Sequence, residues 1–276
     1  MNDRSSAIIT IKARKTLDLD LGGLWQFRDL LLALSWRDIK LRYSQTALGI
    51  GWVLLQPLLG SFIFTLVFSL IARVPSGGVP YFFISYTGLV SWNLFANSIT
   101  RISGSLVANA NLISKVYFPR LILPLGVIPS ALLDFTIGLI LLGVLAPLWG
   151  LPVGWGLFFV PLCVFILIAV ALGIGLAAAS LSVFYRDVQH MLPLLVQLLL
   201  YGSPVGYAVS AVPKQYHDWY MLNPLAAPLE YIRWAFTGVG SGNAQDLTYS
   251  LIVSICILFA GLLVYRSVER RFADVI

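Results

Sequence analysis

WGLFFVPLCVFILIAVALGIGLAAASLSV, the stretch from Trp155 to Val183, contains no charged side chain. A helix of this length crosses the roughly 30 Å hydrocarbon core of a bilayer, and it has no polar face to offer water. Working outward, further predominantly apolar stretches run from Ala47 to Ala72, Tyr81 to Ile102, Leu121 to Leu148, Met191 to Ser210 and Leu247 to Tyr265. The sequence predicts an all-α membrane protein with six transmembrane helices. Of the 276 residues 59% are hydrophobic and 11% charged, whereas a globular domain carries about 25% charge. Six crossings of about 20 residues each leave no room for a separate soluble catalytic domain. The expected division is a cytoplasmic N-terminal segment 1–46, one membrane domain 47–265, and a cytoplasmic tail 266–276.

Charge sets the expected orientation. The first hairpin turns at Val74-Pro75-Ser76-Gly77-Gly78, and Trp149 to Gly154 joins the third and fourth spans without a charge. With both termini in the cytoplasm, fifteen Lys and Arg lie inside, eight of them before the first span, against Arg73, Lys214 and Arg233 outside. That asymmetry is the positive-inside pattern. It also accounts for the net charge of +6, so no nucleic-acid partner is expected. The first 46 residues hold those eight basic side chains and no long apolar run, which argues against a cleavable signal peptide. Cys163 and Cys256 stand within apolar runs and read as small buried hydrophobes.

Two segments depart from simple spans. Leu24, Phe27, Leu30, Leu31 and Leu34 share one side of a helix, with Gln26, Asp29 and Ala33 opposite. This is an amphipathic interface helix, or a helix packed on another subunit. Between Gly202 and Gly240, Pro204, Pro213, Pro224 and Pro228 interrupt a chain kept apolar and aromatic by residues such as Trp219, Tyr220, Ile232 and Trp234. Short re-entrant helices over about 205–240 satisfy both facts, because broken backbone at membrane depth is tolerated where protein or a cavity covers it. An extracytoplasmic loop with an aromatic belt is the alternative.

Catalytic signatures are missing. The chain has no G-x-x-x-x-G-K-[ST] loop for phosphates, and its two histidines, His190 and His217, are too isolated for a metal site or a hydrolase. No enzymatic activity and no cofactor are expected of the chain itself. Asp134 is the one acidic residue deep in a predicted span; such a charge costs roughly 2.5–3.5 kcal/mol to insert and faces a partner or a cavity. Tyr81, Phe82, Tyr86, Trp92 and Phe95 crowd the second span. Aromatic faces stack on sugar rings, but a membrane-interface belt explains such residues equally well. Gly202-Ser203-Pro204-Val205-Gly206 fits either a small-residue packing face or a proline hinge.

Several motifs resemble one family. Arg37-Asp38-Ile39-Lys40-Leu41-Arg42-Tyr43, followed by Leu48-Gly49-Ile50-Gly51-Trp52 and Gln56-Pro57-Leu58, is similar to the start of the first span in polysaccharide and polyol-phosphate export permeases of ATP-binding-cassette transporters. Ala108-Asn109-Ala110-Asn111-Leu112-Ile113-Ser114-Lys115-Val116-Tyr117-Phe118-Pro119-Arg120 is the most specific stretch. Phe184-Tyr185-Arg186-Asp187-Val188, Ser203-Pro204-Val205, Leu222-Asn223-Pro224-Leu225 and the terminal Arg271-Phe272-Ala273-Asp274-Val275-Ile276 complete the likeness, which departs at Ser91, where many members carry Pro.

The resemblance implies a homodimer in a bacterial inner membrane, bound to two nucleotide-binding ATPase subunits that hold ATP and Mg. Its implied cargo is a polyprenyl-diphosphate-linked polysaccharide, O-antigen first among the choices. Under this resemblance Asn109, Asn111, Ser114, Lys115, Tyr117 and Arg120 couple to the ATPase. Arg28, Arg37, Lys40 and Arg42 attract the diphosphate at the membrane surface. Tyr81, Phe82, Tyr86, Trp92, Phe95 and Asp134 are candidates for lining the pathway, and Trp219, Tyr220, Glu230, Arg233 and Trp234 belong to an extracytoplasmic gate. A drug or small-lipid exporter of the same superfamily, and a polytopic enzyme acting on lipid-linked sugars, are the alternative readings.

Overall fold

The computed structural model describes residues 21–44, 48–151 and 154–269, and every regular element among them is helical. In chain order the helices are α1 (Leu21–Gln26), α2 (Arg28–Tyr43), α3 (Gly51–Thr65), α4 (Tyr81–Ala108), α5 (Ala110–Lys115), α6 (Ile122–Gly126), α7 (Ile128–Leu148), α8 (Val160–Ser182), α9 (Val188–Tyr201), α10 (His217–Met221), α11 (Ala226–Thr237) and α12 (Ala244–Glu269). Arg4, Lys12, Arg14, Lys15, Ala47, Pro152, Val153 and the terminal motif with Arg270 and Arg271 lie outside the described residues.

Among the described residues four helical stretches are long and apolar enough to cross a membrane: Gly51–Ile71, Ile122–Leu148, Trp155–Ser182 and Ala244–Glu269. They correspond to the first, third, fourth and sixth predicted spans. The other two differ for readable reasons. α4 has 28 residues, about 42 Å at 1.5 Å per residue, but Ser85, Thr87, Ser91, Asn93, Asn97, Ser98, Thr100 and Arg101 make it less apolar. α9 has 14 residues, about 21 Å, and ends well before the expected Ser210. Pro204 lacks the N–H that a continuing helix needs, and the chain unwinds from Gly202.

α8 occupies the centre, between α4 and α12. Its crossing with α12 is backbone against backbone: a Cβ on Gly261 would fall 1.9 Å from the Gly173 carbonyl oxygen, and one on Gly173 2.4 Å from the Ile257 carbonyl. Small residues allow this approach, which in lipid replaces the hydrophobic drive that soluble helices use. Around it Tyr86, Phe95, Ile99, Ile102 and Ile166 are fully buried. Of the two cysteines only Cys163 is buried; Cys256 is exposed on the outer side of α12, because an apolar run in a membrane chain includes its lipid-facing positions.

The predicted apolar face of α1–α2 points inward. Leu34 is buried, and Leu24, Phe27, Leu30 and Leu31 pack on the cluster built from Phe118, Ile122 and Tyr265. The opposite side is apolar as well, with Trp25, Leu32 and Trp36 all exposed. At the far end of the molecule, the hairpin at Gly77 and Gly78, with φ of 64° and 86°, meets Val239 beyond α11.

Candidate functional site

The polar edge of α4 decides where the candidate site lies. Asn93, Asn97, Thr100 and Arg101 recur at helical spacing, so they share one face. That face forms one wall of a groove whose other walls are α3, through Gln56 and Gly60, and α9, through Gln197 and its neighbours. Thr100 returns its hydroxyl to the Ala96 carbonyl at 2.8 Å. Among the described residues the side-chain amides of Gln56, Asn93, Asn97 and Gln197 have no hydrogen-bond partner. Gln56 and Gln197 are exposed and Asn93 and Asn97 half-buried, so the groove offers four amides that water or a hydrogen-bonding solute can reach.

The groove continues into a smaller pocket that shares Gln56, Asn93 and Asn97 and adds Trp52, Arg42, Tyr43 and Asp134. Asp134, on α7, is not an isolated carboxylate. Arg42 Nη1 lies 2.5 Å from its Oδ2, and the Tyr43 hydroxyl donates to its Oδ1. Burial first, then the Asp134 carboxylate, pushes the Tyr43 phenol well above its usual value, so it stays protonated and donates. The pair forms because the end of α2 lies against α7. Sequence reading placed Arg42 and Asp134 in separate groups; they are separated by about ninety positions, and no periodicity links them.

The other basic residues of the same predicted group divide. Arg28 lies 4.9 Å from the Trp25 ring, Lys40 is exposed, and Arg37 joins a cluster on the inner side of α2. There Arg37 Nη2 donates to Asn109 Oδ1 at 3.0 Å and faces Asp38 Oδ1 at 3.3 Å. Arg101 completes the cluster, donating to Asp38 Oδ2 at 3.3 Å and to the Ser130 hydroxyl at 2.6 Å.

The segment from Asn109 to Arg120 presents two faces. Asn111, Ser114, Lys115 and Tyr117 are exposed, Tyr117 at 75%, while Leu112, Ile113 and Phe118 anchor α5 to the bundle. Arg120 turns inward and donates to the Glu269 carbonyl at the end of α12, so it is a structural contact rather than part of the exposed face. The five aromatic residues expected along the pathway are largely internal: Phe82 stacks on Tyr86 at 5.7 Å, and Tyr81, Tyr86, Trp92 and Phe95 are buried. Tyr81 stacks on Phe68 beyond α3, the Tyr86 hydroxyl donates to the Gly138 carbonyl of α7, and Trp92 is the one of the five that also borders the groove. The amides Gln56, Asn93, Asn97 and Gln197 were missed. Their signal in the sequence is Asn93 and Asn97 at four-residue spacing in one predicted span, with Gln56 and Gln197 each the lone amide of another.

The proline-broken segment is compact. Short turns at Val209–Ala211 and Lys214–Tyr216 lead to α10 and then to α11, which is buried at every position except Trp234. Trp219 is exposed, and the Tyr220 and Tyr207 hydroxyls lie 2.8 Å apart. Glu230 and Arg233 form a fully buried ion pair. Arg233 also donates to the carbonyls of Ile84, Pro204 and Val205, and Glu230 Oε1 accepts from the Val209 N–H at 3.1 Å. Gly88 makes room for this staple, since a Cβ there would sit 1.9 Å from the Val205 carbonyl oxygen. The pair thus ties the unwound end of α9 to α4 and α11.

The family described as ABC-2 type transporter matches residues 29–237. An O-antigen export system permease protein RfbA of Klebsiella pneumoniae is 30% identical over 261 residues, covering 90% of this chain and 95% of that protein. The RfbA of Myxococcus xanthus is 29% identical over 253 residues, covering 91% and 96%. The polysialic acid transport protein KpsM of Escherichia coli is 27% identical over 254 residues, covering 86% and 93%.

Proposed function

The chain belongs to the ABC-2 type transporter family, and from that premise we propose that it is the permease subunit of an ATP-binding-cassette exporter of polyprenyl-diphosphate-linked polysaccharide, with O-antigen as the cargo. The observation that carries this reading is the groove between α3, α4 and α9. Its unpaired amides match the alternating donors and acceptors of a hydroxyl-rich chain, and a drug or simple lipid offers them little. Relatives named for O-antigen export support the same choice.

In this reading α4 and α9 complete six spans, with both termini cytoplasmic in a bacterial inner membrane. α4 crosses despite its polar residues because they face the groove or the protein interior rather than lipid. The segment 202–240 is re-entrant and gates the outer end, and the exposed Trp25, Leu32 and Trp36 lay α1–α2 on the inner membrane surface. Two copies of the chain meet across the open side of the groove and bind two ATPase subunits, which hold ATP and Mg. Asn111, Ser114, Lys115 and Tyr117 form the docking face for those subunits. Arg28, Lys40 and Arg37 attract the cargo's diphosphate at the inner surface, while Arg42 is neutralised by Asp134.

Depleting the chain in its native cell tests this function. Surface polysaccharide falls and the polyprenyl-linked pool accumulates inside; an unchanged surface and pool refute it.

A further inference from the structure

The cluster beneath the groove joins four helices at one point. Asn109 caps α5 on the side where α4 ends, and its amide nitrogen donates back to the Ser105 carbonyl of α4 at 2.8 Å. Its amide oxygen accepts from Arg37 of α2, whose same Nη2 faces Asp38. Asp38 lies between two guanidinium groups, since Arg101 of α4 reaches its other oxygen. Arg101 in turn holds Ser130 of α7. One turn further along α7, Asp134 is gripped by Arg42 and Tyr43 from the end of α2. α2 is therefore fastened at both places to α7, and at one of them to the cap of α5.

We propose that Asp38 is a positioning residue for transport: it binds α2 to the α4–α5 corner, so that a displacement of α5 carries α2 and α7 with it. Two observations separate this role from plain stability. The side chains are only partly buried, Asp38 at 25% exposed and Arg101 at 27%, so the cluster is not part of the close-packed core. The apolar inner face of α2 is held on the bundle without it, by Leu24, Phe27, Leu30, Leu31 and Leu34. What the cluster adds is register between α2 and α5. Removing Asp38 unties Arg37 and Arg101 from each other and leaves Asp134 as the remaining acidic neighbour of Arg101, which loosens α2 from α4. α5 itself is held by Leu112, Ile113 and Phe118 on the bundle and, through Asn109, on this corner.

This inference rests on the reading of the chain as an ATP-driven permease. The test uses the complete transporter with its ATPase subunits in lipid vesicles, carrying Asp38→Ala or Asp38→Glu. Asp38→Ala keeps ATP hydrolysis within about twofold of the native complex, while ATP-driven export falls at least tenfold; Asp38→Glu restores most of the export. A second arm does not depend on the cargo. Spin labels at Ala33→Cys and Val116→Cys, in a Cys256→Ala background, report the distance from α2 to the end of α5. It is narrow and the same with and without trapped ATP in the native protein, and it broadens in Asp38→Ala. Native export and a native distance distribution in Asp38→Ala overturn the proposal, as does a proportional fall of hydrolysis and export. If the native complex moves no polysaccharide, the function reading fails by itself, and the distance arm still decides whether Asp38 sets the register.

Discussion

Replacing Arg233 by Ala removes one half of a buried ion pair and leaves Glu230 with a charge that no water reaches. Glu230 and Arg233 are 1% and 0% exposed, and the guanidinium also satisfies the carbonyls of Ile84, Pro204 and Val205. Breaking a buried pair from one side costs about 3–5 kcal/mol. For a chain of 276 residues that lowers the apparent melting midpoint by roughly 5–9 °C. Replacing both partners, with Glu230→Leu and Arg233→Met, removes the stranded charge and recovers part of the loss. Recovery stays incomplete because the Val209 N–H and the three carbonyls lose their partners, at about 1–3 kcal/mol for each buried group left unsatisfied. The assay is heat-induced loss of monodisperse protein in detergent, run at one scan rate for the native chain, both single variants and the double variant. An Arg233→Ala midpoint within about 2 °C of native, or a double variant as damaged as the sum of the singles, refutes the assignment of this pair as a staple.

Other consequences can be checked in the same preparations. Gly261→Ala places a methyl group against the Gly173 carbonyl and destabilises the α8–α12 crossing by about 1–3 kcal/mol or more, seen as a lower melting midpoint. Asn93→Leu with Asn97→Leu lines the groove with hydrocarbon; surface polysaccharide falls at least tenfold while the amount of inserted protein is unchanged. Lys115→Glu weakens copurification of the ATPase subunit and leaves the melting midpoint in place. Arg120→Glu does the reverse, because its contact is the Glu269 carbonyl of its own chain.

Much of the architecture could be read directly. Four apolar runs became helices within a few residues of their expected limits, since an unbroken apolar run of that length satisfies its backbone in lipid as a helix. The unwinding after Tyr201 was also signalled, by Pro204, although the span was drawn through it. The site was less legible, because it depends on which helix faces which. Asp134 looked solitary until α2 brought Arg42 and Tyr43 to it, and Arg233 looked like a loop charge until α11 proved buried. The aromatic residues of α4 misled in the opposite direction. Tyr86 and Phe95 are as suited to a sugar as to a core, and only the helices packed around α4, among them α7 at the Tyr86 hydroxyl, assign them to the core.

The contact of Gly173 with Gly261 has a mechanical meaning. Ordinary helix pairs meet through side chains, whose rotamers yield when one helix slides or rolls. Here peptide groups bear on each other, and any roll of α12 against α8 drives a carbonyl into a Cα. The two helices therefore behave as a single girder, with α4 fitted to its flank where Gly175 receives Ile102. The groove's α3 wall rests on a softer contact, since at Gly60 it meets the Leu89 side chain of α4 rather than a backbone.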